Sequence, residues 1–314
     1  MIVEIEELLK YEAAGDPMTG TKWTRTTPQK IAEILNLRGF TISRNTVAAI
    51  LLGMDFSLKA NRKTIATHTS PDRDQQFGII RRLRESFEAT GNPMISVDTK
   101  KKELIGLFAN PGRVWTREPV ATNDHDFRSD AIAIAVPYGL YDVLANTGTV
   151  VVGTSSETPA FAVQSIVTWW QYRGRQQYPG KRELLILADC GGANGYRPRA
   201  WKHELQKKLA DRYGLTVTVA HYPAGASKWN PVEHRLFSEI SKNWAGRPLD
   251  SLETMRNYID TTRTAGGLEV RSYSDTRKYA KGVKISDADM KALALEKGNE
   301  LERWNYTINP RISA

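Results

Sequence analysis

Leu184-Leu185-Ile186-Leu187-Ala188 is an unbroken apolar run that stops at Asp189 and is followed by Gly191-Gly192. A run this short and this apolar reads as a strand buried on both faces. Such a strand requires a covering layer on each side, and the surrounding pattern supplies it. Strand-like segments at 94–98, 104–108, 131–136 and 149–152 precede a helical stretch at 161–172. The chain then alternates: the buried strand, a helix at 199–213, a strand at 216–220 and a helix at 231–244. The expected core is a mixed α/β sheet covered by helices.

The N-terminal part reads differently. Residues 1–22 look like a short amphipathic leader followed by a linker. Over 23–66 two helices are expected. The first opens at Pro28 behind Thr27, and the second is capped by Ser43 and carries Val47, Ile50 and Leu51 on one side. A glycine-containing turn, Gly39-Phe40-Thr41, joins them. Either a helix-turn-helix or a plain αα-hairpin accounts for this spacing. The basic tail Lys59, Arg62 and Lys63 favours DNA, and a DNA-reading second helix would present Arg44 and Asn45. A connecting helix fills 67–92 and ends at Gly91-Asn92-Pro93.

Charge points the same way. Lys plus Arg number 44 against 35 Asp plus Glu, a net charge of +9. That balance favours a polyanionic partner, nucleic acid first and an anionic membrane surface second. A single cysteine, Cys190, excludes a disulfide framework and a cysteine zinc cluster. No apolar run approaches the roughly 18 residues of a membrane span, and the acidic N-terminus lacks a signal-peptide pattern. A cytoplasmic protein is expected.

Three acids stand where acids are hard to place. Asp98 lies in a strand behind Ile95 and Val97, although Asp is a poor strand former. Asp189 sits at the carboxyl end of the buried strand, where α/β sheets gather their sites. Each also fits a turn-capping role. Glu233 fits a capping box with Asn230, but at about 100° per residue it falls inside the arc of Val232, Leu236, Phe237, Ile240 and Trp244. A carboxylate on a core-facing stripe is costly unless paired or bound to metal. Three converging carboxylates suit hard divalent cations, Mg²⁺ or Mn²⁺, and two such ions can support in-line phosphoryl displacement.

Longer strings carry a resemblance. They are Ile95-Ser96-Val97-Asp98-Thr99-Lys100-Lys101-Lys102-Glu103-Leu104, Pro137-Tyr138-Gly139-Leu140-Tyr141-Asp142, Ala188-Asp189-Cys190-Gly191-Gly192-Ala193-Asn194-Gly195, Ser227-Lys228-Trp229-Asn230-Pro231-Val232-Glu233-His234-Arg235-Leu236-Phe237 and Trp304-Asn305-Tyr306-Thr307-Ile308. From about Lys22 to Ile312 the chain resembles bacterial insertion-sequence transposases of the DDE class, specifically the family named for its Rhodopirellula members. Cys190 and Ala193 depart from the Gly and Ser of the family motif.

The resemblance implies an RNase H-like catalytic core over 93–246, with a mixed five-stranded sheet, followed by a C-terminal α/β extension over 247–314 packed on it. It implies that Asp98, Asp189 and Glu233 are the metal-binding catalytic triad, with Asp98 bridging two Mg²⁺ or Mn²⁺ ions. It further implies cleavage at transposon ends to expose a 3′-OH, and attack of that 3′-OH on target DNA. The partners are then double-stranded DNA, as terminal inverted repeats and as target, and further copies of the chain in a dimer or larger oligomer on DNA. The setting is the bacterial cytoplasm, with nucleoid association when DNA is bound.

Around the acids, Lys100, Lys101 and Lys102 form either a phosphate clamp or a solvated hairpin. Trp229, beside Lys228, either stacks on an unpaired base or packs on its helix. Arg235 lies on the solvent side and is a candidate DNA contact. His221 and His234 read first as structural hydrogen-bonders. Glu103, Asp124, Asp126 and Asp142 are rival acids, with Asp142 ranked first, and Trp169-Trp170 reads as core. Three other functions compete: a metal-dependent nuclease without strand transfer, a degenerate DNA-binding copy, and a non-catalytic DNA-binding regulator.

Overall fold

Short hydroxylated side chains start two of the helices of the N-terminal part. In the computed structural model, which describes residues 2–12, 14–15, 22–23, 26–56 and 70–311, helix α1 is Ile2–Glu12, α2 is Pro28–Leu37 and α3 is Arg44–Gly53. Thr27 Oγ1 accepts from Lys30 N–H and Ser43 Oγ from Thr46 N–H, so two otherwise orphaned first-turn donors are satisfied. Between α2 and α3 the chain reverses at Gly39, whose φ of 89° suits glycine. Asn36 pins the turn by exchanging hydrogen bonds with the Ile42 backbone.

Residues 1–22 are more than a leader and linker. Ile5, Leu8 and Leu9 lie three and four residues apart, so they share one face of α1. They are buried with Ile31, Leu35, Val47 and Leu51 in a small core of their own. Arg44 and Asn45 sit exposed on the first turn of α3. Lys59, Arg62 and Lys63 lie outside the described residues.

The chain divides at Ile65/Ala66 into two units. The second begins with α4, Arg73–Thr90, which stops at Gly91 in the left-handed conformation. Its sheet strands are β1 Met94–Thr99, β2 Glu103–Ile105, β3 Ala133–Asp142, β4 Thr147–Gly153, β5 Glu183–Ala188, β6 Thr216–His221, β7 Glu269–Asp275, β8 Leu295–Lys297 and β9 Asn305–Ile308. They form one nine-stranded sheet ordered β8-β9-β6-β5-β1-β3-β4-β7, with β2 paired beside β3. Strands β1, β5 and β6 are mutually parallel, while β3 runs antiparallel to β1 and to β4.

The inner order β4-β3-β1-β5-β6 is the RNase H-like arrangement. The sheet exceeds the expected five strands because the C-terminal residues, besides packing Leu249, Met255 and Ile259 against the core, pair at both edges: β7 joins β4 and β9 joins β6. Strand β3 also runs through Pro137, further than 131–136. The Pro137 carbonyl accepts from Lys100 N–H, so the missing proline N–H faces the point where the neighbouring chain turns between β1 and β2. A proline is tolerated in a strand where no ladder partner is lost.

All of Leu184 to Ala188 are fully buried. One face of the sheet is covered by helices α5 Pro159–Trp169 and α6 Arg199–Leu205, and Trp169 and Trp170 are core. The other face holds the helical segment Val232–Phe237, wound as a π-helix and continued by Ser238–Asn243, here together α7. Among the described residues no helix is long and apolar enough to cross a membrane.

Candidate active site

Register brings the first two acids together. Val97 of β1 lies opposite Ala188 of parallel β5, so the next residues, Asp98 and Asp189, emerge side by side at the carboxyl ends of both strands. Side chains alternate along a strand. Asp98 therefore shares the face of Ser96, and Ser96 Oγ accepts from Val232 N–H of α7 at 2.9 Å. That is the face from which Glu233 arrives. Val232, Leu236, Phe237, Ile240 and Trp244 are all buried, as the helical arc requires, while Arg235 is exposed. Gly139, opposite Asp98 in β3, lets α7 come close: a Cβ there would stand 2.2 Å from Phe237 Cε1.

The three carboxylates interact. Burial, first, and then the Asp189 charge push the Asp98 carboxyl up to about 8; the Thr99 N–H, 2.8 Å from Asp98 Oδ1, works against this, while the Glu233 charge and hydrogen bond add to it. Burial also pushes Asp189 up to about 6, opposed by a hydrogen bond from Asn230 and reinforced by the Glu233 charge. Such shifts are what crowded, desolvated acids show. Among the described residues no three His, Cys, Asp or Glu side chains converge on one ion-sized point. Each of the three carboxylates nevertheless feels at least one of the others. This donor set, all hard oxygen and short of compensating positive charge, fits divalent cations.

Asn230 is the residue the capping-box reading misjudges. Its backbone carbonyl starts the helix by accepting from Glu233 N–H, but its side chain turns inward and is fully buried. Nδ2 donates to Asp189 Oδ1 at 3.0 Å, and Oδ1 accepts from Ser96 Oγ. One amide thus ties β1, the end of β5 and the start of α7. The Asn-Pro preceding Val232-Glu233 was the available signal; its side-chain direction was not.

The basic candidates fare unevenly. Lys100 pairs with Glu103 and lies 4.7 Å from the Trp244 ring centroid, largely buried, so it is not a free phosphate clamp, and Glu103 is its counter-ion rather than a rival ligand. Lys102 pairs with Glu157 at 3.2 Å, while Lys101 is exposed. Trp229 is 54% exposed, touches Phe77 edge-on and lies beneath Lys228.

Asp142 is a buried turn anchor, accepting from Tyr178 Oη, Leu144 N–H and Ala145 N–H. Asp124 and Asp126 are exposed. His221 is fully buried, and burial pushes it down to about 4, so it is neutral. Its Nδ1 faces the Asp189 carbonyl and its Nε2 the Tyr306 hydroxyl. His234 faces the Lys228 carbonyl. Cys190 donates to the Tyr222 carbonyl, and burial pushes its thiol up to about 12, which leaves it a protonated packing group.

The family model described as "Rhodopirellula transposase DDE domain" matches residues 4–310. The chain belongs to that family. It is a DDE transposase, a DNA-cleaving and strand-transferring polynucleotidyl transferase. No curated protein matches its sequence. Among solved structures, the transposase is similar to the "Mos1 transposase paired-end complex with left transposon end", at 16% identity over 83% of this chain and 70% of that one with a TM-score of 0.47. It is similar to the "Crystal structure of the Mos1 Strand Transfer Complex" at 18% identity, over 83% and 69%, with a TM-score of 0.46. A simian T-cell lymphotropic virus intasome follows at 11% identity, over 82% and 78%, with a TM-score of 0.28. The family assignment of the transposase does not rest on these likenesses.

Proposed function

We propose that Asp98, Asp189 and Glu233 hold two Mg²⁺ or Mn²⁺ ions at which this transposase cuts the terminal inverted repeats of its element and joins the exposed end to target DNA. The supporting observation is the mutual electrostatic influence of the carboxylates that β1, β5 and α7 carry to one edge of the sheet, with Asp98 pushed up to about 8 by burial and by its neighbours. When bound, the cations supply charge neutralisation and Lewis acidity at the reacting phosphate.

The chain's own residues do the rest. Asp98, Asp189 and Glu233 would hold the cations. Asn230 fixes the rotamer of Asp189 and leaves the other carboxylate oxygen free. The Gly139 contact seats α7 so that Glu233 reaches Asp98. In cleavage, water oxygen forms a bond to phosphorus and the 3′-oxygen leaves, taking a proton to become the 3′-OH. In joining, that 3′-oxygen attacks a target phosphodiester, and the target's own 3′-oxygen leaves. Bond-breaking and bond-forming balance without a covalent protein intermediate, so positioning and electrostatics carry the catalysis.

Arg44, Asn45, Lys101, Lys228, Trp229 and Arg235 are the exposed candidates for DNA contact, and Lys59, Arg62 and Lys63 join them from sequence. A dimer or larger assembly would bring two ends together, in the bacterial cytoplasm at the nucleoid.

The test uses a labelled duplex of the inverted repeat that borders this coding sequence, with Mg²⁺ or Mn²⁺. Wild type is expected to cut at the repeat boundary and Glu233→Gln to leave the strand intact. Equal cutting by both removes Glu233 from the chemistry. Binding without cutting by wild type would mark a degenerate copy.

A further inference from the structure

The C-terminal residues do more at the acid-bearing edge than widen the sheet. Strand β7 is parallel to β4, and β4 and β1 both run antiparallel to β3. The carboxyl end of β7, at Asp275, therefore lies on the same edge of the sheet as Asp98. From there residues 276–286 run back along that edge as an irregular strap. Three spacings between neighbouring strands separate β7 from β1, about 14 Å, which is about four base pairs of duplex.

The strap is irregular but tied down. Asp275 is buried and accepts from Arg277 Nε and Nη2 at 2.8 and 2.7 Å and from Tyr279 Oη at 2.6 Å. Tyr279 N–H donates to Ser155 Oγ in the turn after β4, and the Tyr279 ring centroid lies 5.6 Å from that of Phe161. At the far end Arg199 Nη1, in the first turn of α6, donates to the Ile285 carbonyl at 3.2 Å. Between these ties Lys278, Lys281 and Lys284 stand exposed, and among the described residues none of them has a carboxylate partner. Lys281 and Lys284 border a hollow of about 740 Å³ whose wall includes Gly192 and Ala193, from the loop that follows Asp189. The acids of that hollow are already matched, Glu157 by Lys102 and Glu204 by Lys208. Ordering an irregular segment costs conformational entropy. Here buried anchors meet that cost and hold three uncompensated ammonium groups beside the active edge, a surface that calls for a polyanion.

We infer that this strap grips the phosphate backbone of target DNA, through Lys278, Lys281 and Lys284. The inference rests on the reading of this protein as an end-joining enzyme. Terminal repeats are recognised by sequence, whereas a target has none in particular. Lysine suits the second task, because its ammonium is a point charge that meets phosphate oxygens without reading bases. Residues 276–286 contain no Asn or Gln to read a base edge, and their one arginine, Arg277, is tied to Asp275. The C-terminal part then contributes a target-holding surface as well as extra sheet.

The experiment compares wild type with Lys281→Gln/Lys284→Gln and with Arg182→Gln/Arg212→Gln. The second pair removes equal charge from exposed positions just before β5 and β6, at the opposite edge of the sheet. Fluorescence anisotropy in EDTA reads binding to a random-sequence duplex and to the inverted-repeat duplex across a salt series. The lysine variant is expected to bind the random duplex several-fold more weakly, with a salt slope lower by about 2, and to hold the repeat duplex nearly as wild type does. The arginine variant is expected to match wild type on both. In joining of a pre-cut end to plasmid, the lysine variant is expected to raise the apparent KM for plasmid several-fold. Its rate at saturating plasmid, its cutting of the repeat boundary and its circular dichroism are expected to stay unchanged. An unchanged affinity and slope in the lysine variant, or an equal loss in the arginine variant, overturns the inference and leaves the triad assignment standing. Equal weakening on the repeat duplex gives the strap to the element's end and overturns its assignment to the target. If wild type neither cuts nor joins, the proposed function and the target role fall together, and a lysine-dependent slope would leave only a grip on duplex DNA.

Discussion

Asn230 Nδ2 donates to Asp189 Oδ1 at 3.0 Å, from a side chain with no exposure to solvent. The same amide accepts from Ser96 Oγ, two residues before Asp98. A neutral side chain on the helix of one acid therefore holds the strands of the other two in register. Asn230→Ala leaves buried partners unsatisfied, which costs about 1–3 kcal/mol, measurable as a lower denaturant midpoint. Loss of an outer-shell partner typically costs about 10–100-fold in metal affinity or activity, so Mn²⁺ affinity by calorimetry is expected to fall with it. Asn230→Asp keeps the shape but places a fourth carboxyl beside Asp189. It is expected to weaken Mn²⁺ binding more than unfolding stability.

The raised acids set a pH dependence. Asp98 titrates near 8 in the fold, above its ordinary value of 3.8, and Asp189 near 6. Between the ordinary and the folded values the native state binds more protons than the unfolded chain, so stability falls as pH rises through this interval. His221, pushed down to about 4 from 6.5, has the opposite slope but is spent once pH exceeds 6.5. In EDTA the unfolding midpoint is thus expected to decline from pH 6.5 to pH 8.5, and Asp98→Asn to flatten the decline. Added Mg²⁺ is expected to stabilise more at the upper end. A midpoint that is flat in wild type contradicts this picture.

Gly139 tests the seating of α7. Gly139→Ala drives a methyl into Phe237, where the ideal Cβ stands 2.2 Å from Cε1. Overpacking of this kind costs about 1–3 kcal/mol, and here it also lifts the helix that carries Glu233. Urea unfolding is expected to show the loss, and Phe237→Leu in the same chain to recover part of it.

Arg44 and Asn45, exposed at the start of α3, probe the N-terminal unit. If they contact DNA phosphates, Arg44→Ala weakens duplex binding similarly for all sequences and lowers the salt slope by about 1. Fluorescence anisotropy across a salt series reads both. An unchanged slope makes α2 and α3 a plain helix pair.

The sequence revealed most where one physical demand was unopposed. Leu184 to Ala188 could only be a doubly buried strand, and its end placed Asp189. The arc of Val232, Leu236, Phe237, Ile240 and Trp244 showed Glu233 aimed inward. Where demands competed, the reading stopped short. The acidic residues around Ile5, Leu8 and Leu9 hid a core-forming helix, and Pro137 interrupted a strand that runs through it because no partner needed its N–H. Asn230 looked like a cap, since spacing cannot show which way a side chain turns. Lys100 to Lys102 read as one basic cluster, yet Glu103 and Glu157, one near and one distant in sequence, take two of the three. The edge strands β7 and β9 were hidden because short C-terminal segments acquire their partners only in three dimensions.

The most direct measurement of the central claim is strand joining. A pre-cut inverted-repeat end with a free 3′-OH is mixed with supercoiled plasmid and Mg²⁺, for wild type and for Asp98→Asn, Asp189→Asn and Glu233→Gln. The account predicts that wild type links the end covalently to plasmid DNA and that each single substitution removes the product while end binding persists. Joining at wild-type level by any one of the three variants would contradict it.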